Sequence, residues 1–156
     1  KEILKALAKL DKKIIIKMHP TQDPIFNALK IVNEILPKAI ILKNANTYDL
    51  ISHSEIVISS PSSVITEALI LDKPLFLFKI LENDSGIPYE KFNAVIATED
   101  EADIDFKINQ ILFDKEIRKE LDIGRKEFLK HALKYHGNSS EKIIELIRNM
   151  IHRTTN

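Results

Sequence analysis

Glycine is scarce in this chain. It has three in 156 residues, where average usage of about 7% would give roughly eleven. Neither G-x-G-x-x-G nor G-x-x-x-x-G-K-[ST] occurs, so both glycine-cradled nucleotide loops are excluded. Cysteine is absent, which excludes a disulfide framework, a thiolate nucleophile and a cysteine-based metal site. That absence fits a reducing compartment, and the expected location is cytoplasmic. An excess of either charge is lacking too. Lys+Arg and Asp+Glu balance at 23 each, so nucleic acid is not an expected partner. No apolar run approaches the roughly 18 residues needed to cross a bilayer, and no secretory signal opens the chain. No H-E-x-x-H occurs, and His53, His131, His136 and His152 lack partners at ligand spacing, so no metal or other cofactor is expected. The G-x-S-x-G of serine hydrolases is missing as well.

What the chain does have is isoleucine, 26 of them, together with abundant Lys and Glu. A thermophile and an AT-rich genome would both produce this profile. The length suits one domain over residues 1–156. Ile3, Leu4, Leu7, Ala8 and Leu10 share a helical face, so residues 2–10 read as the tail of an amphipathic helix. Ile14-Ile15-Ile16, within Lys13–Lys17, reads as a strand buried on both faces. Asp23-Pro24 is a helix start, Ile25, Leu29, Val32 and Leu36 form its apolar stripe, and Pro37 ends it. Ala39–Leu42 is a second strand, Asn46/Thr47 starts a short helix, and Glu55–Ile58 is a third strand. A helix over Val64–Leu71 and a fourth strand over Leu75–Phe78 follow. Ala94–Ala97 adds an edge strand, and the rest is helical: about 101–112, 114–133 with a break near Asp122, and 140–152. Strands and helices alternate, which predicts an α/β domain, Rossmann-like, with three αβα layers, a mostly parallel sheet and C-terminal helices.

Ligands of such sheets bind beyond the carboxyl ends of the strands, where strand order reverses. That rule selects Met18–Asp23, Lys43–Thr47, Ser59–Ser63 and Lys79–Pro88. His19, with its backbone set by Pro20, follows the first strand and is a candidate phosphate donor or general acid. Ser59, Ser60, Ser62 and Ser63 surround Pro61 at a helix start, where hydroxyls and free N–H groups make an anion site without glycine. One serine acting as N-cap, with the others solvated, would give the same pattern. Glu67 is placed to hold the two hydroxyls of a ribose or to complement the helix dipole, with the Thr66 hydroxyl beside it.

Three stretches carry a family resemblance: Lys17-Met18-His19-Pro20, Ser54 to Val64, and Glu67-Ala68-Leu69-Ile70-Leu71-Asp72-Lys73-Pro74. In this order they resemble the C-terminal, donor-binding half of GT-B-fold nucleotide-sugar enzymes. UDP-N-acetylglucosamine 2-epimerases, CDP-glycerol glycerophosphotransferases and bacterial sialyl- and polysialyltransferases are all similar. Tyr135 to Ile144 also looks like the start of the last helix in the first two families. Asp72 stands where the epimerases usually carry glycine, and Lys142 where arginine is usual.

The resemblance implies a GT-B C-terminal domain that takes a CMP-, CDP- or UDP-activated sugar or polyol, in a transferase of cell-surface polysaccharide synthesis. His19, Pro20, Ser59, Ser60, Ser62 and Ser63 would hold phosphate, and Thr66 and Glu67 the ribose. His19 would also be the catalytic group, neutralising the leaving phosphate. An epimerase-like domain and an inactive α/β interaction module are the alternatives. The resemblance further implies a fragment that lacks its first strand and its N-terminal partner domain, and is unlikely to be active alone. Self-association could cover an open sheet edge, and the rest of the protein could hold it at the inner face of the membrane.

Overall fold

The computed structural model describes residues 1–19, 26–79, 86–134 and 137–154, without the side chains of 26–28 and 152–154. The described elements run α1 (Glu2–Ala8), β1 (Ile15–Lys17), α2 (Phe26–Ile35), β2 (Ile40–Leu42), α3 (Thr47–Ser52), β3 (Val57–Ser59), α4 (Val64–Ile70), β4 (Leu75–Phe78), β5 (Ile96–Thr98), α5 (Ile104–Phe113), α6 (Lys115–Ala132) and α7 (Ser139–Thr154). Short 3-10 turns at Glu90–Phe92 and Glu101–Asp103 precede β5 and α5. The expected α/β, Rossmann-like architecture is therefore present, with every described strand pair parallel. Pro20 and the expected helix start at Asp23-Pro24 lie outside the described residues.

The strands alternate sides because their side chains have a period of two. Ile56, Ile58, Phe76, Phe78 and Ile96 face a core built with Ala6 and Leu7 of α1, Val32, Ile35 and Leu36 at the end of α2, and Ile104, Ile108 and Ile111 of α5. Val57, Leu75, Leu77 and Ala97 face the opposite core, with Ile51 of α3, Ile65, Ala68 and Leu69 of α4, and Phe128 of α6. Helices thus cover both faces. α7 carries Ile143, Ile144, Ile147 and Met150 on its surface, all exposed. Among the described residues no helix is long and apolar enough to cross a membrane.

The hydrogen-bonded ladders divide into β1-β2 and β3-β4-β5. Parallel strands joined through a helix cross over right-handed. Because α2 and α4 lie on opposite faces, β1→β2 and β3→β4 must step in opposite directions. Two orders meet this condition, and the pairing of Lys12 with Glu55 selects β2-β1, a break, then β3-β4-β5, with the outer edges of β1 and β3 facing each other. Lys12, just ahead of β1, pairs with Glu55, just ahead of β3, at 2.7 Å. This contact brings the amino ends of the two ladders together.

Two local expectations change. The edge strand starts two residues later and ends one later than the expected Ala94–Ala97, because Ala94 and Val95 are buried in the turn that leads into it. α6 is unbroken at Asp122. The Asp122 carboxylate accepts from Arg125 and Lys126, both at 2.6 Å, one turn ahead. Pairs at this spacing support a helix. Gly124, one residue short of Arg125, is required by packing: a Cβ there would lie 2.1 Å from the Phe92 carbonyl oxygen.

Candidate functional site

Parallel pairing brings the carboxyl ends of the strands to one rim of the molecule. β1 delivers Met18 and His19 there, and the β1-β2 ladder continues past β1 through Met18 N–H donating to Leu42 O at 2.8 Å. The Lys17 ammonium donates to Met18 O at 2.7 Å and bends over the start of the same loop. His19 is exposed. β2 ends at Leu42, and Lys43 leads on to Asn46, whose side-chain oxygen accepts from Tyr48 N–H at 3.0 Å and caps α3 as expected.

β3 delivers the serines. Ser59, its last residue, is in register with Leu77. Its hydroxyl donates to Ser60 O at 2.7 Å and lies 3.2 Å from the Ser62 hydroxyl. Since Ser59 spends its proton on Ser60 O, Ser62 is the donor in that pair, and Ser59 keeps a lone pair toward solvent. Ser63 occupies the N-cap of α4 but makes no side-chain cap bond. Ser60, Ser62 and Ser63 are exposed. A serine thus stands at the helix start and the others are solvated, as the capping reading expects, but without the side-chain cap bond. The hydroxyls form a small cluster that can turn toward an arriving acceptor.

α4 is two turns long, so side chains rather than its dipole set the character of this loop. Glu67 lies on its first turn, half-buried, and among the described residues its carboxylate has no hydrogen-bond or ion-pair partner. Thr66 is engaged elsewhere: its hydroxyl shares a 2.9 Å hydrogen bond with the phenol of Tyr89. Tyr89 is 1% exposed and packs against Phe128 with ring centroids 4.9 Å apart. Thr66 therefore fastens α4 to the segment after β4. Nothing in the residue pattern around Tyr89 signalled that bond beyond its place after Ile87-Pro88.

Arg125 is a second support that the sequence did not mark. Its guanidinium donates to Leu69 O at the end of α4 at 3.3 Å, and it pairs with Asp72 at 2.8 Å and Asp122 at 2.6 Å. Asp72 has φ +60°, the left-handed conformation usual for glycine just past a helix. This accounts for a residue standing where the resembling epimerases carry glycine. The Asp122 carboxyl is held below its ordinary value, first by the hydrogen bond from Lys126 and then by that from Arg125.

At the far end of the rim Lys79 pairs with Glu90 at 2.6 Å. Residues 80–85, part of the crevice selected from the sequence, lie outside the described residues, as do Tyr135 and His136. Among the described residues no cluster of His, Asp and Glu could hold a metal ion. The structure thus brings Ser59 and Ser62 into contact and puts Glu67 one turn further on. His19 stands at the same rim on the opposite side of the break, where strand order reverses.

No family model and no curated protein sequence matches the chain. A solved structure, spinosyn forosaminyltransferase SpnP, aligns with a TM-score of 0.63 at 13% identity over 97% of this chain. The chain spans 37% of that protein's length. The likeness establishes the fold: a Rossmann-like α/β domain similar to one found in a GT-B glycosyltransferase.

Proposed function

We propose that this chain is the donor-nucleotide side of a GT-B glycosyltransferase or glycerophosphotransferase, which takes a sugar or polyol activated by CMP, CDP or UDP. The observation that carries the reading is the rim at the strand reversal, where His19 and the Ser59/Ser62 hydroxyl pair flank the position that ligands of open α/β sheets occupy. The shape likeness to a glycosyltransferase supports the same reading.

In this account the ring N–H of His19 and the hydroxyls of Ser59, Ser60, Ser62 and Ser63 donate to the donor's phosphate oxygens. Glu67 accepts from the ribose hydroxyls, and Thr66, through Tyr89, holds α4 in position to present it. When the acceptor attacks, the bond from the transferred group to the nucleotide phosphate breaks, and negative charge builds on the leaving phosphate. Donors already aimed at that oxygen lower the barrier, since they need no reorganisation as the charge develops.

Isothermal titration with CMP, CDP, UDP and UDP-N-acetylglucosamine tests the reading. Binding of at least one diphosphate, weakened about tenfold or more by His19→Ala without loss of the fold, is the expected result. A charge-assisted contact of this kind is worth roughly 1.5–3 kcal/mol. No heat with any of the four at millimolar concentration would favour an interaction module instead.

A further inference from the structure

α7 has 16 residues, close to the length of about 12–15 residues below which an isolated helix is marginal in water. Helices in globular proteins gain most of their stability by packing an apolar face. At 3.6 residues per turn Ile143, Ile144, Leu146, Ile147, Met150 and Ile151 fall within an arc of roughly 160°, and charged and amide side chains fill the rest. α5 buries a face of this kind, with Ile104, Ile108 and Ile111 closed from solvent. On α7 the reverse holds: Ile143, Ile144, Leu146 and Ile147 are 49–60% exposed. Every described side chain of the helix, over 139–151, is exposed. An apolar face left open in this way marks an interaction surface.

The charges beside that face select its occupant. Lys142 pairs with Glu145 at 2.9 Å on the polar side of the helix. Glu141 and Arg148 lie on one flank of the apolar arc, next to Ile144, and the three line one hollow together with Glu145 and Asn149. Among the described residues neither Glu141 nor Arg148 has an ion-pair partner. They stand two turns apart, about 10.5 Å along the axis, too far to pair with each other. A second copy of α7 laid end for end against the first answers both charges at once. In an antiparallel pair the same flank of each helix meets, so Glu141 comes beside the second copy's Arg148, and Arg148 beside the second copy's Glu141. In a parallel pair that flank would meet the opposite one, where Ile143 and Met150 sit.

We propose that α7 is a self-association surface, on which two copies of this chain pair antiparallel about a two-fold axis. Ile144 of each helix packs on the second copy's Ile147 near the axis, and the Glu141–Arg148 pairs close one flank at both ends. The same patch serves both copies, as a two-fold interface requires. The apolar layer supplies the affinity, and the rim charges fix the direction of pairing. One helix pair buries less than the roughly 1,200 Å² of a stable complex, so the dimer is weak and depends on concentration. The pairing needs no nucleotide and does not rest on the nucleotide reading.

Sedimentation equilibrium of the full chain from about 10 μM to 1 mM tests the proposal. A monomer–dimer equilibrium with its Kd inside that span is expected, as for a small interface. Ile147→Asp, at a residue exposed in the monomer, is expected to raise Kd at least about tenfold while circular dichroism and the melting curve stay unchanged. Glu141→Lys and Arg148→Glu should each raise Kd several-fold alone, because each sets like charges beside one another at both ends of the pair. An equimolar mixture of these two variants restores opposite charges at both ends, and its Kd should return to within about twofold of the native value. A monomer at every concentration would overturn the proposal, as would a dimer that Ile147→Asp leaves intact or a mixture no tighter than its components. So would a chain that stays monomeric but binds phosphatidylglycerol vesicles through Ile147, since a lipid surface would then be the occupant.

Discussion

Lys12 Nζ lies 2.7 Å from Glu55 Oε2 and joins the residue run ahead of β1 to the one ahead of β3 across the break between the ladders. The bond holds the Glu55 carboxyl below its ordinary value. Both side chains are solvent-exposed, so the pair aligns the ladders more than it stabilises them. The shared apolar layer under α1 and α5 does the holding.

Gly124→Ala should destabilise the chain in spite of alanine's better helix propensity, which alone is worth about 1 kcal/mol. The added Cβ meets backbone, Phe92 O at 2.1 Å and Asn93 O at 2.4 Å, which cannot swing aside as a side-chain tip would. Overpacking of this kind costs about 1–3 kcal/mol. Urea denaturation of the variant checks the sign, and a gain in stability would refute the tight α6 contact.

Asp72 offers a contrasting case. Its φ of +60° suits glycine, and its bond to Arg125 reaches from an exposed side chain. Asp72→Gly should leave stability nearly unchanged, the lost Arg125 bond offsetting the relieved backbone, whereas Asp72→Val should cost about 1–2 kcal/mol more, the penalty for a β-branched side chain in the left-handed region. Thermal melts of the two variants side by side measure the difference.

The Asp122 carboxyl is depressed by Lys126 and Arg125. A depressed carboxyl contributes stability that is fully present above its unfolded value, about 4, and is lost as pH falls through the folded value. The stability difference between the native chain and Asp122→Asn should therefore be constant from pH 7 to 5 and shrink on acidification below pH 4. A difference that grows toward acid pH would contradict the assigned hydrogen bonds.

Much of the fold was legible because its signals are local. Leu75–Phe78 and the Asn46 cap follow from a burial run and capping chemistry that a short window contains, whereas the Ile14-Ile15-Ile16 run forms its strand without the expected burial on both faces, Ile15 being exposed. What escaped depends on distant parts of the chain. Asp122 and Gly124 look like helix breakers until Arg125, Lys126 and the Phe92 carbonyl are brought beside them. The Thr66–Tyr89 bond and the reach of Arg125 to Leu69 likewise need the tertiary structure. At the rim, His19 and the serines were legible as strand-end residues, and the family resemblance supplies the phosphate role proposed for them. The division of the sheet into two ladders was not, since every strand signal is identical whether or not its neighbour is present.

The central claim is that nucleotide phosphate is held at the rim between His19 and the β3 serines. A two-dimensional NMR titration of the isotope-labelled chain with CDP and UDP tests it most directly. The account predicts shifts concentrated at the amides of His19, Ser59, Ser60, Ser62, Ser63 and Glu67, with β5 and α7 unmoved. Saturable shifts centred on α7 or the α5–α6 side, with the His19 and serine signals unmoved, would contradict it.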